Sequence, residues 1–161
     1  MEGGRFSPHL FSLTPGQEVT CQGPYGAFIF RRPLSDSILV ATGTGIAPFR
    51  SMLLDRLPHE PERRFTLILG TRYEHGLLYR ADWENLARQY PNFEFQPTLT
   101  RPGQDWTGAT GRVQSHVLEA LGDRRDMDIY ICGLKEMVND VRGLLKEKGV
   151  DRKRIIYERY D

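Results

Sequence analysis

The sequence predicts an α/β fold in which a doubly wound parallel sheet of five strands follows a few antiparallel strands. From residue 37 onward, short β-branched runs alternate with segments in which apolar residues recur every three or four positions. Glycines directly follow or end the first and the fourth of these runs. Residues 1–33 lack the alternation and carry proline–glycine turn signals instead. Strand–helix alternation of this kind is typical of a parallel sheet covered by helices on both faces.

The N-terminal segment is predicted to contain antiparallel strands at residues 19–22 and 27–30, joined by a turn rich in glycine and proline. Two or three such strands are only part of a sheet and leave edges that another segment would cover. Residues 31–36 have the composition of a linker. We therefore divide the chain into an incomplete β unit, residues 1–33, and an α/β domain, residues 37–161.

In the α/β domain, strands are predicted at residues 38–42, 65–70, 93–99, 128–132 and 154–158. The apolar stripes between them predict four helices, which end near Pro58, Pro91, Leu121 and Gly149. Right-handed crossovers then favour the strand order 3-2-1-4-5. In that order, the carboxyl ends of strands 1 and 4 border the crevice in which open α/β sheets bind ligands.

The turn after strand 1 has the sequence pattern of an anion-binding loop. Gly43 and Gly45 lack a Cβ, so the backbone can turn tightly and a ligand can approach it. The next residues open a helix whose free N–H groups and positive dipole end would face the anion. The predicted pyrophosphate site comprises Gly43, Thr44, Gly45, Ile46, Ala47 and Pro48. Taken alone, the pattern fits a structural turn equally well, but Cys132 and Gly133 end strand 4 across the crevice and favour a ligand site.

Composition and charge disfavour several classes of function. The 161 residues carry a net charge of +1 with both signs interspersed, which favours neither a nucleic-acid partner nor a membrane surface. No apolar run approaches the roughly 20 residues of a transmembrane helix, and the first residues lack a signal-peptide core. Two distant cysteines and four histidines without shared spacing predict neither a disulfide framework nor a metal site, and a cytoplasmic location is expected. A phosphate-loop NTPase is disfavoured because the pattern Gly-x-x-x-x-Gly-Lys-Ser/Thr is absent.

In this order, the motifs resemble the ferredoxin–NADP⁺ reductase superfamily, which includes flavodoxin reductases, cytochrome b5 reductases and reductase components of oxygenases. Residues 43–49 are similar to its pyrophosphate turn, which has a proline where the common dinucleotide fingerprint has its last glycine. Cys132-Gly133, with Met137 downstream, resembles the family motif beside the nicotinamide. Gly4, Ser7 and residues 23–28 resemble the last third of its FAD-binding barrel. The resemblance implies an FAD-dependent NAD(P)H oxidoreductase.

The resemblance also implies roles for three residues near the ends of strands 4 and 5. Cys132 would lie at the C4 edge of the nicotinamide and orient the ring, with Glu158 as an acid beside it. Tyr160 would stack on the flavin. Hydride would pass from nicotinamide to FAD, and single electrons would leave to a ferredoxin, a flavodoxin or an oxygenase component. The alternatives are a small buried cysteine and an exposed strand end.

Four residues are similar to the family segments that bind the adenosine half and the phosphates: Arg72, Thr100, Arg101 and Arg112. Guanidinium groups bind phosphate in bidentate fashion, and the 2′-phosphate of NADP is the charge that distinguishes it from NAD. The arginines therefore favour NADP(H) over NAD(H). So does the lack of an acid at an obvious position to bind the ribose hydroxyls. The alternative is that these arginines are solvated loop residues.

The family's Arg-x-Tyr-Ser/Thr flavin-binding strand is absent before residue 33. The resemblance therefore implies that the chain starts inside the FAD-binding barrel and that the missing segment could reside on another chain. Gly4 and Ser7 would touch the flavin pyrophosphate only in a complete barrel. This chain is expected to bind NADP(H) and to hold FAD poorly or not at all. The alternative function is a non-catalytic module that binds or senses NAD(P)H.

Overall fold

A computed structural model of the chain describes residues 6–23 and 25–160. The described residues form a six-stranded sheet in which every neighbouring pair of strands is parallel. Its strands are β1 (Ser37–Thr42), β2 (Phe65–Thr71), β3 (Phe93–Leu99), β4 (Ala109–Thr110), β5 (Asp128–Leu134) and β6 (Ile155–Tyr160). The order across the sheet is β4-β3-β2-β1-β5-β6.

Helices connect the strands, and short 3₁₀ turns precede or follow some of them. The helices are α1 (Phe6–Ser12), α2 (Ala47–Arg56), α3 (Arg80–Gln89), α4 (Val113–Leu121) and α5 (Lys135–Glu147). The 3₁₀ turns span Gly43–Ile46, Glu74–Gly76 and Arg152–Arg154. Each of the four helices after β1 lies within a few residues of its predicted position, because apolar stripes and terminal prolines or glycines mark it in the sequence.

The five predicted strands keep their expected order among themselves, but the predicted strand count is wrong. The extra strand, β4, adds two residues to the edge beside β3, with Ala109 opposite Thr98 and Thr110 opposite Leu99. The backbone N–H of Gly111 donates to the Leu99 carbonyl at 2.9 Å and holds this segment in place. A strand of two residues is too short to produce a detectable alternation of apolar and polar residues.

Both faces of the sheet are buried, as expected for a doubly wound fold. On β1, Leu39 and Ala41 join a core with residues of α2 and α3, whereas Ile38 and Val40 join a second core with α4 and α5. All four of these side chains are fully buried. Because successive strand residues face opposite sides, an unbroken apolar run is what a central parallel strand requires.

The prediction of antiparallel strands at residues 19–22 and 27–30 is wrong, because neither run forms a strand. The secondary structure before β1 is the helix α1, at residues 6–12. A strand needs a partner for its N–H and C=O groups, and none of the described strands pairs with these runs. Aromatic contacts hold the second run against the domain. Phe30 packs edge-on against Tyr130 with ring centroids 5.1 Å apart, and Phe28 lies 5.7 Å from Phe49. The Tyr130 hydroxyl also accepts the backbone N–H of Arg31 at 2.9 Å.

Candidate functional site

A cleft of about 520 Å³ opens at the carboxyl ends of β1, β2, β3 and β5. Its walls are the loops that follow these strands, together with the first turns of α4 and α5. The order of the sheet reverses direction between β1 and β5, so the cleft lies where sequence reasoning expected the ligand crevice.

The glycine turn after β1 forms one side of this crevice, and its two glycines serve different purposes. Gly43 has a backbone φ of +55°, which residues with a side chain rarely adopt, although a Cβ there would meet no atom within 4 Å. Position 45 needs a glycine for a different reason, namely close packing, because a Cβ there would lie 2.2 Å from the Cys132 carbonyl oxygen. Gly45 and Ile46 are buried, and Pro48 lies in the first turn of α2. Of the predicted pyrophosphate residues, only Gly43 lines the cleft; Thr44, Gly45 and Ile46 complete the 3₁₀ turn, and Ala47 and Pro48 begin α2.

Gly133, near the end of β5, packs behind two lining residues of the cleft and also has little room for a side chain. It has φ +148°, and a Cβ would lie 2.4 Å from Thr42 Oγ1 and 3.0 Å from Met137 Cε. Thr42 and Met137 both line the cleft. The Thr42 hydroxyl is buried and has no hydrogen-bond partner among the described residues. An unsatisfied buried hydroxyl costs roughly 1–3 kcal/mol, so a polar ligand atom at the cleft floor would relieve it. A ligand that places a polar atom there therefore fits the residues present.

Cys132, Glu158 and Tyr160 come together at the ends of β5 and β6. Cys132 is fully buried, stands opposite Glu158 in the strand register, and donates from its thiol to the Tyr160 hydroxyl oxygen at 3.5 Å. Burial raises the pKa of Cys132, and the Glu158 charge raises it further. Burial and the Cys132 contact likewise raise the pKa of Tyr160. Both groups stay neutral at pH 7, so Cys132 is not suited to nucleophilic attack. None of the three residues is among those that line the cleft.

Two of the three arginines predicted to bind phosphate line the cleft, and the third lies beside it. Arg72 and Arg112 line it, as does Thr100. Arg101 stands outside the walls described for the cleft, but its guanidinium donates to the Tyr73 hydroxyl at 3.3 Å, and Tyr73 lines the cleft. The backbone N–H of Arg101 also donates to the Arg72 carbonyl at 2.8 Å. The structure therefore brings the three arginines to neighbouring loops at one end of the cleft.

Sequence reasoning missed several residues of the cleft, including Thr42, Tyr73 and His75. It also missed two acids, Glu136 and Asp140, which line the cleft from the first two turns of α5. The expectation that no acid is placed to meet the ribose is therefore not supported. Their i, i+4 spacing at the start of the helix that follows β5 puts both acids on one face of that helix, and this pattern could have indicated them from the sequence.

The remaining sequence expectations concern FAD, metals and membranes. Ser7 is exposed on α1, and Gly4 lies outside the described residues. Within residues 6–23 and 25–160, no group of three or more metal-ligating side chains could hold a metal ion. Over the same part of the chain, no helix combines the length and apolar character needed to cross a bilayer.

Comparison with known proteins identifies the family to which this chain is similar. The family described as "Oxidoreductase NAD-binding domain" matches residues 39–143, more than half of the chain. The chain is 41% identical over 171 residues to ferredoxin–NADP reductase B of Sorangium cellulosum, covering 100% of this chain and 69% of the relative. It is 32% identical over 162 residues to one component of the Na⁺-translocating NADH-quinone reductase of Neisseria meningitidis, covering 96% of this chain and 40% of that relative.

Among solved structures, the CS-b5R domains of human Ncb5or in the NAD⁺ form match with a TM-score of 0.83 and 25% identity. The match covers 98% of this chain and 46% of the human chain. This chain therefore spans 69% of the bacterial ferredoxin–NADP reductase and less than half of the other two proteins.

Proposed function

The chain belongs to the oxidoreductase NAD-binding domain family, in the ferredoxin–NADP⁺ reductase superfamily, and we propose that it binds NADP(H) in preference to NAD(H) and presents the nicotinamide for hydride transfer. The observation that carries the proposal is the single cleft that joins the two glycine-bearing strand ends to a cluster of arginines. We assign regions in and beside the cleft to the three parts of the dinucleotide.

The pyrophosphate is assigned to the turn at Gly43, beside the N-terminal end of α2. A Cβ at Gly43 would point into open space, so a ligand can approach the backbone there. The free N–H groups and positive dipole end of α2 favour a negative charge at this position. Thr44 can add a hydroxyl donor to the same phosphate.

The nicotinamide is assigned to the end near Cys132. Cys132 is fully buried and its thiol donates to the Tyr160 hydroxyl, so it is proposed to shape the strand end at which a flat ring is oriented rather than to offer an open surface. Hydride transfer depends on the donor and acceptor atoms being held close and aligned, so placement is the main contribution expected of this chain. Glu158, beside Cys132 in the sheet register, is proposed to help position the ring.

The 2′-phosphate is assigned to the arginine end of the cleft. Arg72 and Arg112 line the cleft, and Arg101 donates a hydrogen bond to Tyr73, which also lines it. A cluster of guanidinium groups favours a phosphate over a hydroxyl at that position. Glu136 and Asp140 line the cleft from α5 and supply an opposing charge, so the preference for NADP(H) rests on the arginines alone.

The whole protein's activity is proposed to be that of a flavin-dependent NAD(P)H oxidoreductase that passes electrons to a ferredoxin-type partner, as the name of its Sorangium cellulosum relative suggests, or to another acceptor. FAD, when bound, would supply the acceptor for the hydride. We propose that this chain alone holds FAD poorly, and the exposure of Ser7 on α1 together with the unformed strands at residues 19–22 and 27–30 supports this. Both cysteines are free, which supports a cytoplasmic location.

Isothermal titration of the full chain with NADP⁺ and with NAD⁺ tests the binding proposal. We expect NADP⁺ to bind at least about tenfold more tightly at low salt, because the 2′-phosphate adds charge-assisted contacts. Equal affinities would overturn the preference for NADP(H). Failure to bind either dinucleotide would overturn the function itself.

A second candidate is a module that binds NAD(P)H without turnover, which the missing barrel strands favour. NADPH-dependent reduction of a dye by the chain, measured with increasing added FAD, separates the two candidates. Turnover that saturates with FAD supports the oxidoreductase, whereas tight NADPH binding without turnover at any FAD concentration supports the binding module.

A further inference from the structure

We propose that Tyr73 is a positioning residue for NADP recognition: its hydroxyl holds the Arg101 guanidinium at the rim of the cleft, where it would meet the 2′-phosphate. The inference rests on the proposed function, because it concerns the same site. It adds a residue that contributes to the choice between NADP and NAD through Arg101.

The partner of Arg101 is an uncharged oxygen. Its Nη1 donates to the Tyr73 hydroxyl at 3.3 Å, and no carboxylate of the described residues lies within ion-pair distance of it. Other arginines of the domain differ: Arg50 pairs with Asp82 at 2.8 Å and Arg154 with Asp128 at 2.9 Å. A guanidinium that is held without being neutralised keeps its charge for an incoming anion.

The Tyr73 side chain is itself held in place on its loop. Its ring stacks on His75 with centroids 5.4 Å apart and an interplanar angle of 15°. Its backbone carbonyl accepts the Thr71 hydroxyl at 2.8 Å and the Gly76 N–H at 3.0 Å. These contacts fix the hydroxyl before any ligand arrives, and a group already in place loses less entropy when the ligand binds.

The electrostatics of the site agree with this geometry. The hydrogen bond from Arg101 lowers the pKa of Tyr73, and the charges of Arg101 and Arg72 lower it further. A lowered phenol pKa reports a positive local potential, because that potential favours the phenolate. The same potential favours a phosphate dianion at this rim.

A double-mutant cycle tests the proposal on the full chain. Adenosine 2′,5′-bisphosphate and 5′-AMP are titrated into the wild type, Tyr73→Phe, Arg101→Ala and the double variant. The phenylalanine keeps the ring stacked on His75 and removes only the hydroxyl. We expect Tyr73→Phe to weaken the bisphosphate by roughly three- to tenfold and to leave 5′-AMP unchanged. In the Arg101→Ala background, the same change should have no further effect.

Tyr157→Phe is the matched control, since Tyr157 also contacts an arginine, but through its ring, with Arg142 3.7 Å from the centroid. It should leave both affinities unchanged. The inference is overturned if Tyr73→Phe preserves the bisphosphate preference, or if it weakens both ligands equally in both backgrounds, which is the result of a merely structural role. A wild type that binds neither ligand overturns the proposed function, whereas a bisphosphate preference that survives Tyr73→Phe overturns only this inference.

Discussion

Gly45 packs directly on the backbone of Cys132: a Cβ built on the glycine would lie 2.2 Å from the Cys132 carbonyl oxygen and 2.9 Å from Gly133 Cα. The two residues are far apart in sequence but lie at the ends of neighbouring strands, with Ala41 of β1 opposite Cys132 of β5. The turn after β1 and the end of β5 therefore form one continuous surface. A change on either side displaces the other.

Replacement of Gly45 by alanine should destabilise the domain by about 2–4 kcal/mol, because the new methyl group meets backbone rather than a flexible side chain. Urea denaturation followed by circular dichroism measures the loss. Gly103→Ala is the control, since a Cβ at Gly103 meets no atom within 4 Å, and its effect should stay within about 0.5 kcal/mol. Equal stability of the two variants would contradict the packing described for Gly45.

Replacement of Arg112 by alanine should weaken NADP⁺ binding by about tenfold and leave NAD⁺ binding nearly unchanged. The physical reason is that Arg112 lines the cleft and is expected to face only the additional phosphate. Isothermal titration at two salt concentrations measures this, and the difference should shrink as salt increases. Arg125→Ala, which removes a side chain that donates to the Gly122 and Arg124 carbonyls, should change neither affinity. A similar loss for both dinucleotides would show that Arg112 contributes elsewhere.

Thiol labelling should distinguish the two cysteines. Cys21 is exposed, whereas Cys132 is buried and its pKa is raised, chiefly by burial. Because only an accessible thiolate reacts, Cys21 should be labelled in the folded chain, whereas Cys132 should stay unlabelled when the pH is raised from 7 to about 8.5. A disulfide-exchange dye should count one thiol before denaturation and two after it, and Cys21→Ser should show none until it unfolds. Rapid labelling of folded Cys21→Ser would mean that Cys132 is accessible.

Replacement of Tyr130 by phenylalanine should loosen the segment that precedes β1. The change removes the hydroxyl that accepts the Arg31 N–H at 2.9 Å, while the aromatic contact with Phe30 stays. We expect a loss of about 1 kcal/mol in stability and faster tryptic cleavage after Arg31, with dinucleotide affinity unchanged. Tyr90→Phe, at the end of α3, is the control and should leave the cleavage rate as in the wild type. Unchanged cleavage in Tyr130→Phe would argue against this tether.

The fold of the α/β domain was largely predictable, because its elements are marked by local patterns. The strand predicted at residues 93–99 is β3, Phe93–Leu99, and the helix stripe that includes Trp83 and Leu86 forms α3. The N-terminal segment was not, since residues 19–22 and 27–30 have strand-like composition without a partner strand in the described structure. Strand propensity depends on packing and pairing, so composition alone could not decide it.

The candidate site was predictable in part. Gly43 and Gly133 follow from their positions at strand ends, and both have the positive φ that a glycine permits. Glu136 and Asp140 were missed because a polar helix residue can face either a cleft or the solvent. The contact between Arg101 and Tyr73 was also missed, because the two loops become neighbours only through the pairing of β2 with β3.

The sequence by itself determined the alternation of strands and helices, the two glycine-bearing strand ends and the family to which the chain belongs. These features follow from periodicity and backbone freedom, which neighbours along the chain encode. Only the tertiary structure decided that Gly45 touches Cys132, that the Thr42 hydroxyl has no partner among the described residues, and that Arg101 is held by Tyr73. Each of these depends on the distance between groups on different strands or loops, which the order and twist of the whole sheet set.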